Sequence, residues 1–181
     1  MKKIVCVMLG MVCLTCGAYG ENRIGAYVSA MSLIGDGEGE LFGGGVRYEW
    51  LFSQNVGVDL RASYLDFSDG DTGVIPLMLG PIVVIPVNSI TLTFGAGGMY
   101  TMLTDGDAED ALGFYANAGA RGPISDGLEW FAEIQYSDVT FDGETTTERR
   151  DYSWGYTIST IEYADAEIQA IGANAGVLWH F

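Results

Sequence analysis

Past its third residue the chain contains no lysine, and its three cysteines, Cys6, Cys13 and Cys16, all fall within the first sixteen positions. One histidine is present, His180, next to the last residue. No stretch reaches the about 20 consecutive apolar residues that a helix needs to cross a bilayer, so no transmembrane helix is expected. A body without cysteine and with one histidine offers too few nitrogen and sulfur ligands for zinc or another transition metal, and no metal or other cofactor is expected. A soluble domain normally spreads both signs of charge over its surface, lysine included. The missing lysine suggests that much of this surface does not face water.

The start of the chain has a different character. Lys2-Lys3, an apolar run from Ile4 to Cys16, and Ala18-Tyr19-Gly20 supply a positive segment, a short hydrophobic segment and a small-x-small cleavage signal. Residues 1–20 therefore read as a signal peptide, with 21–181 as one exported domain. A lipidated N-terminus at Cys16 is the rival, but Cys13-Leu14-Thr15-Cys16 lacks the small residue wanted before such a cysteine. Cleavage would remove every lysine and cysteine and leave six arginines against twenty-four carboxylates, a formal charge of −18. Nucleic acid is not expected as a partner for so acidic a chain.

What fills the rest is alternation. Apolar and polar residues repeat with period two, and no comparable stretch keeps the helical period of 3.6. In the final segment Ile171, Ala173, Ala175, Val177, Trp179 and Phe181 share one face, while Gly172, Asn174, Gly176 and His180 share the other, with Leu178 the exception. The same pattern predicts strands near 23–33, 41–51, 55–66, 90–103, 111–123, 128–141 and 166–181. Val74 to Val87 is apolar on both faces and carries Pro76, Pro81 and Pro86, which a paired strand tolerates poorly. Split into a hairpin, it would give arms shorter than the about 9–11 residues of a tilted membrane strand, so it reads as one further strand with its pairing in doubt.

The connections alternate between short ones, around 52–54, 88–89 and 125–127, and longer acidic ones. The long ones hold Asp36/Glu38/Glu40, Asp69/Asp71, Asp105/Asp107/Glu109/Asp110 and a segment of about 24 residues from Asp142 to Asp165. Short turns at one end and long loops at the other mark an all-β, eight-stranded antiparallel up-and-down transmembrane β-barrel. An even strand count puts both termini at the short-turn, periplasmic end and the long loops outside the cell.

Alternation also suits a soluble lipocalin-like barrel with its faces inverted, so the placement of charge matters. Arg23, Arg47, Arg61 and Arg121 share the polar face with Glu49, Asp59, Glu129 and Glu133. In lipid the apolar face points outward and every backbone group pairs within a closed sheet. That puts four cations and four anions inside a narrow lumen, where they must pair with each other or with water. The apolar face carries Trp50, Tyr64, Tyr100, Trp130, Tyr136 and Trp179, mostly near strand ends where aromatic girdles meet headgroups. Gly43, Gly45, Gly57, Gly95, Gly97, Gly119, Gly172 and Gly176 fall mostly on the inward side, leaving room for arginines or marking bends.

On these features the chain resembles the OmpA/OmpX-like family of small outer-membrane barrels over nearly all of 21–181. The closest motif is the terminus, Gly176-Val177-Leu178-Trp179-His180-Phe181, alternating and ending in phenylalanine. The resemblance implies insertion by the outer-membrane assembly machinery, which would read Val177, Trp179 and Phe181, and outer-membrane lipid as surroundings. It does not select a function, because such barrels serve as anchors, adhesins, narrow pores and occasionally enzymes.

No enzyme is expected: a lipid-modifying barrel gathers its acid, base and nucleophile near the long loops, and His180 lies at the opposite end, in a structural role. Asp105, Asp107, Glu109 and Asp110 offer hard oxygens for calcium but complete no EF-hand spacing, so a solvated acidic loop is expected. Gly43-Gly44-Gly45 lacks the lysine and helix of a phosphate loop. The reading is a structural anchor or surface-interaction protein working through acidic loops, with residues 145–156 (Thr145-Thr146-Thr147-Glu148-Arg149-Arg150, then Tyr152, Trp154 and Tyr156) extending the last strands or binding a partner. The alternatives are a narrow pore for small solutes, a lipocalin-like binder and the lipid-modifying enzyme.

Overall fold

The computed structural model describes residues 20–34, 39–68, 73–104, 111–141, 145–152, 155–162 and 166–181. Eight strands close a barrel: β1 (Glu21–Ile34), β2 (Glu40–Leu51), β3 (Val56–Phe67), β4 (Gly73–Val87), β5 (Ile90–Leu103), β6 (Ala111–Ser125), β7 (Leu128–Phe141) and β10 (Ala166–His180). Every pairing is antiparallel and each strand lies beside its successor, with β10 returning to β1 from Arg23↔His180 to Ile34↔Gln169. Closure leaves no strand edge, the condition for a sheet to stand in hydrocarbon. At 12 to 15 residues the strands exceed the about 9–11 needed to cross a bilayer.

Two short turns use left-handed backbone. Asn88 has φ 55° between β4 and β5, and Gly127 has φ 81° between β6 and β7; asparagine and glycine are the residues that enter this region at least cost. At the opposite end, β8 (Thr145–Tyr152) and β9 (Gly155–Glu162) pair with each other as a separate two-stranded sheet, from Thr145↔Glu162 to Tyr152↔Gly155. This segment forms its own hairpin and does not extend the ladders of the last two barrel strands.

The segment apolar on both faces forms β4 as one unbroken 15-residue strand. Its pairing with β3 runs from Val56↔Val83 to Ala62↔Leu77, lapses beside Pro76, and resumes in the same register at Leu65↔Val74. Its pairing with β5 lapses at Gly80 and Pro81 between Leu79↔Gly98 and Ile82↔Gly95. A proline lacks one N–H, so each removes a ladder bond toward one neighbour and leaves the register intact.

Outside, the surface is apolar: Val28, Leu112, Ile134 and Trp179 are 66%, 71%, 62% and 61% exposed. Inside lie the charges, together with apolar residues at both ends of the lumen. Val74, Met78, Ile82 and Val84 of β4 point inward and are buried, as are Met31, Leu41 and Leu65. The inner face is thus not uniformly polar. An eight-stranded barrel is only wide enough to be filled by side chains, so stretches of its interior pack as a core, and Leu178 belongs to one such patch with Tyr27 and Phe131.

Candidate functional site in the barrel lumen

Residues two apart on a strand share a face, which aims Arg47 and Glu49 of β2, and Asp59 and Arg61 of β3, into the lumen. The register sets Arg47 opposite Arg61 and Glu49 opposite Asp59, like charges face to face, an arrangement that is destabilising unless compensated. Compensation runs along the strands and on the diagonal. Arg47 donates from Nε and Nη2 to the two Asp59 carboxylate oxygens, both at 3.0 Å, and its Nη2 lies 3.0 Å from Glu49 Oε1. Arg61 donates to Asp59 Oδ2 at 2.7 Å from Nε and 2.6 Å from Nη2.

The far wall completes the square. Glu133 of β7 accepts from Arg47 Nη1 and Arg61 Nη2, each at 3.1 Å, and also from Arg61 Nη1. Gly119, paired with Glu133 across the β6–β7 ladder, leaves the space it needs: a Cβ at Gly119 would stand 2.5 Å from that of Glu133. Asn174 Nδ2 donates to Glu133 Oε1 and Gln135 Oε1, each at 3.0 Å.

Glu49 links this square to a second group nearer the short turns. Its Oε2 accepts from Arg121 Nη1 at 2.6 Å and lies 3.7 Å from Arg23 Nη1. Glu129 Oε2 sits between the same two arginines, 3.3 Å from Arg23 Nε and 3.6 Å from Arg121 Nε. Arg23 also donates to Glu21 at 2.7 Å, and Glu21 lies 3.3 Å from His180 Nδ1. All eight charges singled out in the sequence stand in this one network. Glu21, Gln135 and Asn174 also belong to it: Glu21 sits on the strand's first residue, and the two amides carry no charge for a tally to find. Arg47 further stacks its guanidinium 5.0 Å from the centre of the Phe131 ring.

Glu49 and Asp59 are wholly buried and Arg47, Arg61 and Arg121 are at most 2% exposed. Replacing such a network by apolar residues is often neutral, but removing one partner strands its neighbours at a cost of about 3–5 kcal/mol. What the arrangement does is occupy the lumen's cross-section with side chains locked on several walls. Among the described residues no cluster of three or more histidine, cysteine or acidic side chains is arranged to hold a metal ion. The acidic run from Asp105 to Asp110 lies outside the described residues.

On the outer face, Val177, Trp179 and Phe181 are 42%, 61% and 69% exposed. Trp50 and Trp130 stand with Trp179 on the outside at the short-turn end, while Tyr64, Tyr100 and Tyr136 lie in the loop-end halves of their strands.

No family model matches the chain, and no curated protein matches it in sequence. Solved structures do match. Neisserial surface protein A superposes with a TM-score of 0.65 at 10% identity, over 90% of this chain and 97% of that one. The outer membrane protein OprG of Pseudomonas aeruginosa gives 0.56 at 14% identity over 90% and 96%, and the N-terminal β-barrel domain of Pseudomonas aeruginosa OprF gives 0.51 at 14% over 90% and 99%. At such identities the likeness is one of fold. The chain is an eight-stranded antiparallel transmembrane barrel, with charge inside and hydrocarbon-compatible side chains outside. Its architecture is that of small outer-membrane proteins, as the resemblance to OmpA/OmpX-like barrels implies.

Proposed function

We propose that this protein is an outer-membrane anchor whose closed barrel presents its long acidic connections at the cell surface, with residues 1–20 removed on export and both termini in the periplasm. The observation that carries this reading is the ion-paired lumen. A barrel plugged by charges locked to opposite walls holds position in lipid and opens no path for solutes, which leaves its work to the loop end. Among the described residues the β8–β9 hairpin is the largest structured element there, within the 142–165 connection. The turn-end tryptophans support a fixed seating against headgroups. Val177 and Trp179, outward on the closing strand, and the exposed Phe181 that follows it are the residues the assembly machinery would read during insertion.

The test pairs two measurements. Protease added to intact producing cells should cut within 142–165 and leave a membrane-embedded remnant, and purified barrel in planar bilayers should give no conductance steps. Discrete steps would favour the narrow pore, and a hairpin protected on intact cells would reverse the orientation.

A further inference from the structure

Toward the loops, beyond the ion-paired square, the lumen changes character. Met31, Leu41, Leu65, Val74 and Ala170 form one buried apolar cluster, and Met99 and Val139 belong to another beside it. Between them the barrel keeps a cavity of about 70 Å³, with no charged residue among its described lining. Three lining residues are polar: Thr101, Gln135 and Ser137. Thr101 is only 6% exposed, and its Oγ1 has no hydrogen-bond partner among the described residues. Gln135 Oε1 is tied to Asn174, which also holds Glu133. The cup therefore has apolar walls, one unpartnered hydroxyl and a blind end at the ion pairs.

We propose that this cup binds the end of a single unbranched alkyl chain belonging to an amphiphile with a cationic or neutral head, inserted from the loop end. Its size selects the shape of the guest. Apolar cavities of roughly 150 Å³ stay dry and take up benzene; this one has about half that volume, enough for a slender chain and too little for a ring. Its walls select the chemistry, since an uncharged apolar lining rewards each methylene removed from water with about fourfold in affinity. The surroundings select the head. Glu40, Asp66 and Asp138 stand near the loop-side ends of β2, β3 and β7 around this end of the lumen, and carboxylates there attract a cation and repel an anion. The blind end makes it a binding site and not a conduit.

The methionines report on it. Met31 and Met99 line the cup, while Met102 occupies the alternate, outward face of β5. The full-length barrel, labelled with methyl-13C methionine and placed in nanodiscs of chain-deuterated phosphatidylcholine, would be titrated with octyltrimethylammonium, octyl sulfate and benzyltrimethylammonium. The octyl cation should shift the Met31 and Met99 methyls saturably and leave Met102 in place, the sulfate should bind at least tenfold more weakly, and the benzyl cation should not bind. Shortening the chain from octyl to heptyl should weaken binding about fourfold. Ala170→Leu, which fills the cup, should abolish the shifts while the protein keeps its heat-modifiable mobility; Val139→Leu serves if the first variant does not fold. A chain drawn from the bilayer would appear before any addition, as cross-relaxation from Met31 and Met99 to acyl protons when protonated lipid is used. Stationary Met31 and Met99 without that signal, a benzyl response equal to the octyl one, or parallel movement of Met102 would overturn the proposal.

Discussion

Asp59 and Arg61 lie two residues apart on one face of β3 with 2.6 Å between Oδ2 and Nη2, and the same carboxylate takes two nitrogens of Arg47 from β2. One carboxylate thus bridges two arginines that the register sets opposite each other, and Glu133 brings the second negative charge to the same pair. Asp59 holds the two arginines from the neighbouring strand, and Glu133 holds the same two from the far wall.

Asp59→Asn should lower the unfolding free energy by about 3–5 kcal/mol, the cost of leaving buried charge uncompensated. Urea titration of the barrel folded in lipid vesicles measures it. Adding Arg47→Met removes the surplus cation, so the double variant should be more stable than the sum of the two single losses. A wild-type midpoint for Asp59→Asn would mean that the network does not support the fold.

Pro81 faces outward on β4 where the ladder to β5 lapses. Pro81→Val supplies the missing N–H without entering the lumen, and one restored hydrogen bond should add about 1 kcal/mol. Hydrogen exchange gives a second reading: the amide at Ala96, which faces the lapse, should exchange faster than its neighbours in β5 and slow down in the variant. Uniform protection along wild-type β5 would contradict the lapse.

The β7–β10 ladder begins at Phe141↔Ala166, so the two strands are already in contact where the long connection leaves them. Deleting 142–165 and joining the strands through Asn-Gly, a favoured two-residue hairpin turn, should leave a heat-modifiable barrel that has lost the surface-exposed protease site. Failure to fold would show that the hairpin is needed for closure.

Phe181→Ser should reduce the folded, heat-modifiable fraction recovered in outer membranes several-fold, while the same variant refolds in detergent with a yield close to that of the wild type. Phe181 is exposed and follows the last paired residue, so its loss costs the finished barrel little packing. Equal losses in cells and in detergent would assign the residue to stability and remove the argument for its being read during assembly.

Most strand boundaries were legible because period-two alternation is a local property, and only an outward face that is apolar throughout satisfies lipid. The eight charges were legible for a related reason: each falls at an inward position of a strand whose alternate, outward positions are mostly apolar. Leu178 and the inward residues of β4 were harder to read. Apolar on both faces, they gave no contrast from which to tell that one side packs inside the lumen. The β8–β9 hairpin escaped because its threonines, charges and aromatics suit a strand and an exposed loop equally well.

By itself, then, the sequence determined the number of barrel strands, the alternation of short and long connections, and which face carries charge, since each follows from hydrophobic period and turn chemistry along the chain. The tertiary structure decided who pairs with whom. Setting Arg47 against Arg61, bringing Glu133 across the lumen to hold both, and leaving an apolar cup above them depend on register and on the curvature of a closed sheet. The Arg47–Glu133 contact relates residues 86 positions apart, a separation at which no local pattern carries information.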